Sequence, residues 1–188
     1  HVIQRGNNRE PVFFAAADYR LYLGWLGEAA SACGVAVHAY VLMTNHVHLL
    51  ATPGDANALS RMMQSLGRRY VGHVNRTYRR TGTLWEGRFR AAPIEAEAHL
   101  LSCMRYIELN PVRARMVRKP GNYPWSSYRA HDEGEADAIL TDHDLYERLG
   151  GTPGARRRAY RGLVREALSP EFLADLRAAS HGAPGAGQ

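Results

Sequence analysis

The stretch TNHVHLLATP, residues 44–53, sets two histidines one residue apart inside an apolar run. Imidazole titrates near neutrality, which makes it an awkward occupant of a core strand. Alternate strand residues share a face, so His46, His48 and Leu50 fall on one side and Val47, Leu49 and Ala51 on the other. Two imidazoles about 7 Å apart at their Cα atoms can converge on one ion such as Zn, Mn, Fe, Ni or Cu, with carboxylate, amide or water completing the site. The same pattern also suits two surface or hydrogen-bonded histidines. Further along, Tyr106 and Asn110 stand four apart in a helical stretch and share a face. They flank an apolar stripe of Leu100, Met104 and Ile107, extended by His99 and Cys103, from which they could look across a sheet edge. A tyrosine on such a flank also serves simply as an amphipathic packing residue.

The charge supplies a third feature. The net charge is +6, and Lys119 is the only lysine among 24 basic residues. Arginine offers a planar fork of donors matched to phosphate. Residues 61–90 hold eight arginines (61, 68, 69, 76, 79, 80, 88 and 90) against Glu86 alone, so this stretch is more positive than the whole chain. Such clustering favours a polyanion partner, nucleic acid first, over a merely solvated helix face.

Several elements must position these residues. HVIQR reads as a strand ending at the turn signal Gly6-Asn7-Asn8. Asp18 is placed to cap a helix with Leu21, Trp25, Leu26 and Ala29 at helical spacing, ending at Gly34. VAVHAYVLM and HVHLLAT, joined by Thr44-Asn45, predict a β-hairpin. A long helix follows over residues 57–80, with Leu59, Met62, Met63, Leu66, Tyr70 and Val74 on its apolar side. TLWEGRFRAAPIE predicts a fourth strand, and EAHLLSCMRYIELN a helix that stops where Pro111 biases Asn110 away from helical geometry. The order β-α-β-β-α-β-α predicts an α+β fold: a ferredoxin-like split βαβ, with a four-stranded antiparallel sheet and helices on one face. A C-terminal helical extension follows. The predicted divisions are a first domain over 1–111, an irregular packed segment over 112–131, and an acidic linker, short helices and mobile tail (HGAPGAGQ) over 132–188.

Composition sets the outer bounds. A chain of 188 residues, 45% hydrophobic and 22% charged, suits one soluble domain plus an appendage. No apolar run approaches the roughly 20 residues a membrane span needs. Cys33 and Cys103 are too few for a disulfide framework, and a reducing cytoplasm is the simplest compartment. The chain opens on His1 without an initiator Met, which points to a missing N-terminal segment.

RGNNRE, HAYVLMTNHVHLL, RRYVGHVNRTYRRTGTLWEGRFR, RYIELNPVRARMV and YPWSSYRAH, taken in this order over residues 5–131, resemble the REP-associated tyrosine transposases. That group belongs to the HUH (His-hydrophobe-His) single-strand nuclease superfamily. The resemblance implies that His46 and His48 bind a divalent metal, Mg²⁺ or Mn²⁺, and that Tyr106 is the nucleophile. It puts Asn110 where related transposases carry the glutamine of Tyr-x-x-x-Gln, the third metal ligand, one methylene longer. It implies single-stranded DNA with palindromic repeat hairpins as substrate, a 5′-phosphotyrosine intermediate, action as a monomer, and a bacterial cytoplasm close to the nucleoid. A phenol, with a pKa near 10, is a poor nucleophile at neutral pH, and a cation beside the scissile phosphate would orient and polarise it. Arg68, Arg69, Arg76, Arg79, Arg80, Arg88 and Arg90 would then track phosphates. Tyr78, Trp85 and Phe89 could stack on bases, with core packing an equal alternative for Trp85. Two other functions remain on the table: hairpin binding without cleavage, and a rolling-circle initiator or relaxase. Binding alone needs none of His46, His48 and Tyr106, and the helix of Tyr106 holds no second tyrosine of the initiator kind.

Overall fold

The computed structural model describes residues 1–94 and 97–181, so the tail over 182–188 lies outside the described residues. The first half follows the expected order: β1 (Val2–Arg5), α1 (Ala16–Cys33), β2 (Val35–Met43), β3 (His46–Pro53), α2 (Ala58–Thr77), β4 (Arg90–Ala91) and α3 (Glu97–Glu108). The sheet runs β2-β3-β1-β4 with every neighbouring pair antiparallel, the split βαβ arrangement. Thr44-Asn45 makes the two-residue turn of the β2–β3 hairpin. Gly34 ends α1 in the left-handed region, φ +67°, which a residue without Cβ adopts freely.

Two local expectations change. Helix α1 begins at Ala16, two residues before the expected cap, because Asp18 caps from inside the first turn: its Oδ2 accepts the backbone N–H of Phe14 and of Ala15, both at 2.9 Å. The fourth strand shrinks to Arg90–Ala91. Gly82 and Gly87 turn at φ +83° and +82°, and Trp85 makes only an isolated bridge to Gly6.

A β-bulge decides what each face carries. Val37 pairs with Ala51 and Ala39 with Leu50, which makes His38 the extra residue. Before it, Val35 and Val37 face α1 and α2; after it, Tyr40 and Leu42 do. They join Val2, Val47 and Leu49 against Tyr22, Leu26, Met62, Leu66 and Tyr70. The bulge turns Ala39, Val41 and Met43 to the opposite face, where Leu50 meets Cys103, Met104 and Ile107 of α3.

That second face is where the C-terminal half goes. Short helices α4 (Asn110–Arg113), α5 (Tyr128–Glu133) and α6 (Asp144–Glu147), then α7 (Pro153–Arg165) and α8 (Pro170–His181), follow in order. Tyr123, Tyr146, Tyr160, Phe172 and Leu176 share one core with α3. The segments expected to be irregular or linker instead run along β2, the outer strand. Ser126 bridges to Val41 and Leu140 to Val37, while the Leu42 and Thr141 amides donate to Trp125 and Val37 carbonyls. An exposed strand edge invites pairing with other chains, and here the chain covers its own. None of the helices among the described residues is long and apolar enough to cross a membrane.

Asp18 also ties α1 to α2. Its carboxylate accepts Tyr78 Oη–H at 2.7 Å and pairs with His73 Nε2 at 3.0 Å. Burial pushes its carboxyl up, and these bonds with the two amides outweigh burial and hold it below the ordinary value. A carboxyl whose folded pKa is depressed contributes stability above its unfolded value of about 3.9 and loses it as pH falls through the folded value. Asp18→Asn is therefore expected to lower stability by about 1.5–3 kcal/mol near neutrality, with the gap to wild type closing in acid. Urea unfolding across that pH range measures both; a gap that stays constant into acid contradicts the role.

Candidate active site

The strand alternation of β3 sends His46 and His48 to the α3 face, their rings 5.0 Å apart and nearly perpendicular. In register, Ile3 and Val41 flank His48, and Arg5 stands opposite His46. Burial pushes the pKa of His48 well below its ordinary value, with His46 and Arg5 adding repulsion. Burial first, then Arg5, takes His46 down to about 4. Both imidazoles are therefore neutral near pH 7 and keep a lone pair, as a metal ligand must.

For His46 the hydrogen bonds choose which nitrogen holds it. His46 Nδ1–H donates to Asn45 Oδ1 at 2.7 Å, while Asn45 Nδ2 donates to the Arg9 carbonyl at 2.8 Å, so the amide is oriented and His46 presents Nε2 as its acceptor. His48 Nδ1 lies 2.8 Å from His1 Nε2, with the two rings stacked at 5.1 Å. A proton on His48 Nδ1 leaves its Nε2 lone pair for a ligand.

Helix α3 brings Tyr106 edge-on to both rings, 5.8 Å from His48 and 6.2 Å from His1. The Arg113 guanidinium lies 4.9 Å over the tyrosine ring. Asn110 Nδ2 donates to the Tyr106 carbonyl at 3.0 Å. The expected stop before Pro111 is corrected: Leu109 is a joint, and Asn110 opens α4 with Pro111 in the first turn, where a missing N–H leaves no bond unmade. His46 and His48 are thus carried on β3, Tyr106 on α3 and Asn110 at the start of α4. No group of three His, Cys, Asp or Glu side chains among the described residues forms a metal cluster. Two neutral imidazoles and an amide oxygen at Asn110 are nevertheless a donor set that fits a divalent cation, provided oxygen from water or substrate completes it.

Four residues of this neighbourhood were missed in the sequence: His1, Arg5, Asn45 and Arg113. The register of β1 would have offered Arg5. Arg113 sits seven positions after Tyr106, on the same helical face, and was hidden by ending the helix at Pro111.

The arginines do not form one surface with this cluster. Arg68, Arg69, Arg76 and Arg79 are exposed in or just past α2, on the face of the sheet away from the histidines. Arg69 pairs with Glu28 at 2.6 Å and lies 4.9 Å over Trp25; Arg80 lies 5.5 Å over Phe14. Arg88 and Arg90 are exposed at β4, and the Ile3↔Arg90 register puts Arg90 on the histidine side. Trp85 is corrected from a stacking surface to core: it is buried against Tyr22 and Tyr70. Tyr78 is half-buried, its hydroxyl committed to Asp18 and its ring 4.6 Å from Phe14.

Comparison with known proteins adds to the geometry. Residues 1–110 match the family model described as "Transposase IS200 like". No curated protein matches the chain. A solved structure described as "Structure of the REP associates tyrosine transposase bound to a REP hairpin" superposes with a TM-score of 0.59 at 17% identity, over 77% of this chain and 87% of that one. At that identity the likeness establishes the fold.

Two residues beyond Tyr106, fully buried Glu108 anchors the C-terminal helices. Its Oε1 accepts Ser127 Oγ–H and His131 Nδ1–H, both at 2.6 Å, and its Oε2 accepts Tyr160 Oη–H at 2.7 Å. Removing one side of a buried ionic network leaves the others unpaired, at about 3–5 kcal/mol. Glu108→Ala is expected to destabilise the chain by that amount, and Tyr160→Phe by about 1 kcal/mol. Denaturant midpoints decide; equal, small effects from both would remove Glu108 from this role.

Proposed function

This chain belongs to the IS200-like transposase family, and on that premise we propose that it nicks and rejoins single-stranded DNA through Tyr106. The observation that carries the reading is the meeting of the Tyr106 ring with buried His48 and its half-buried neighbour His46, both neutral, on one face of the sheet. In the proposed step Tyr106 Oη bonds to a backbone phosphorus, the bond from phosphorus to the 3′ oxygen breaks, and the phenolic proton leaves as the departing oxygen gains one. The 5′-phosphotyrosine conserves the bond energy, and attack by a 3′-OH reverses it. His46 and His48, with Asn110, would hold Mg²⁺ or Mn²⁺; when bound, that ion polarises the phosphate and offsets the charge that develops on it. Arg113 beside Tyr106, and Arg5 beside His46, place cationic groups where phosphate must lie.

The substrate proposed is a strand carrying a palindromic repeat hairpin, as the family resemblance implies and as the superposed structure's description states for that protein. A monomer is proposed because Tyr106 already packs on His48 of its own chain.

The test is covalent capture. Incubation of the full chain with Mn²⁺ and labelled hairpin-bearing single strands is expected to give a protein–DNA adduct that survives denaturation. Tyr106→Phe should fold and bind the hairpin yet form no adduct, and His46→Ala with His48→Ala should cut cleavage by at least about 100-fold while binding survives. An adduct at wild-type rate with Tyr106→Phe means another nucleophile. No adduct from the unmodified chain on any hairpin makes it a hairpin-binding protein.

A further inference from the structure

On the other face of the sheet, between α2 and the segment entering β4, lies a groove of about 460 Å³. Its floor contains a polar group that the fold does not use. Gln4 is 9% exposed, and the same alternation that turns Ile3 and Arg5 towards the histidines turns Gln4 the opposite way, into this groove. Among the described residues its carboxamide makes no hydrogen bond, and its polar atoms stay open to the groove rather than sealed in the core.

The rest of the lining suits a flat, partly apolar, anionic guest. Met63 supplies apolar floor and Phe89 a half-buried aromatic wall. Gly67 and Gly87 keep the space clear: a Cβ on either would meet no atom within 4 Å. Arg88 lines the groove, Arg68 adjoins it through Gln64 at 3.4 Å, and no acidic residue is among the lining.

We propose that this groove takes one unpaired nucleobase of the DNA strand, stacked on Phe89 and read at its edge by the Gln4 carboxamide, with the flanking phosphates on Arg88 and Arg68. A carboxamide offers one donor and one acceptor side by side, which matches the adjacent donor and acceptor of a base edge. Aromatic stacking is what makes single-strand sites hold bases. The site rests on the single-strand reading above for the identity of its polymer, and on its own geometry for everything else. It would give the protein a means of telling a strand position without cutting it.

The experiment is metal-free fluorescence anisotropy on the full chain, with a labelled hairpin oligonucleotide carrying single-stranded flanks. Each flank nucleotide is replaced in turn by an abasic unit. One position is expected to weaken wild-type binding by about tenfold or more, the loss of one stacked base. Gly67→Leu lies on a helix with open space above it and raises helix propensity, so it should fold at least as well as wild type. It should bind the intact oligonucleotide as weakly as wild type binds the abasic one, and lose the sensitivity to that position. Gln4→Leu should lower affinity at that position with the other positions unaffected. Retention of the abasic effect in Gly67→Leu, or tight wild-type binding with no sensitive position, overturns the groove while leaving Tyr106 chemistry standing. Failure of wild type to bind any such strand overturns the groove and the single-strand reading together.

Discussion

Glu108 is the constraint on which the arrangement of this protein turns. A carboxylate taken fully out of water carries a penalty of several kcal/mol, and it is tolerable here because Ser127, His131 and Tyr160 each deliver a short hydrogen bond. Charge-assisted bonds of this kind are worth about 1.5–3 kcal/mol apiece, so the network roughly breaks even against burial. What it adds is direction. An apolar contact can slide, whereas three donors on two oxygens admit one orientation of α3 relative to α5 and α7. Burial would lower the pKa of His131, but the facing carboxylate raises it, which strengthens the pair at the point of contact. The helix bearing Tyr106 is therefore oriented by residues from 127 to 160.

The other fixed quantity is strand parity. One residue inserted at His38 lets β2 serve two cores, with Tyr40 and Leu42 on one side and Ala39, Val41 and Met43 on the other. Without that shift, the downstream half of β2 would present the wrong alternation to α3, and His46 and His48 on β3 would face a strand out of step. The packing of α3 then dehydrates the histidines, and dehydration keeps them neutral. Burial that would be a defect for an imidazole serving as a cation is what a metal-ligating imidazole requires.

Much of this was legible in the residues. The hairpin, the shared face of His46 and His48, the span of α2 and the split βαβ order follow from period and turn chemistry alone. Pro111 misled because a proline one position inside a helix start and a proline that ends a helix look the same without the neighbouring turn. Trp85 was undecidable because aromatic side chains serve cores and bases equally well. The acidic stretch 132–147 reads as a linker, yet Tyr40, His38 and Val37 show where it goes: Asp137 accepts the Tyr40 hydroxyl, the Thr141 carbonyl accepts from His38, and the Thr141 N–H donates to the Val37 carbonyl. Partners 100 residues apart leave no trace in local pattern. Nor does a bulge, which periodicity reads as noise.

The arginines teach a sharper lesson about charge. Their clustering over 61–90 in sequence becomes two separate placements in space, because α2 packs on one face of the sheet while His46, His48 and Tyr106 meet on the other. A strand that touches Arg68 and reaches Tyr106 must pass around a sheet edge. The β2 edge is closed by the segments containing Ser126 and Leu140, whereas β4 pairs with Val2 and Ile3 and the loop before it meets Arg5 through the Glu86 amide. Arg88 stands by the groove on one side of that short edge, and Arg90 points to the histidine side. Arg5 continues the basic path beside His46. Positive charge thus runs around the β1–β4 edge from the helix face to the histidine face. The loop before β4 closes the backbone of that edge, with the Glu86 N–H donating to the Arg5 carbonyl, so it is the side chains of Arg5, Arg88 and Arg90 that give the turn its charge.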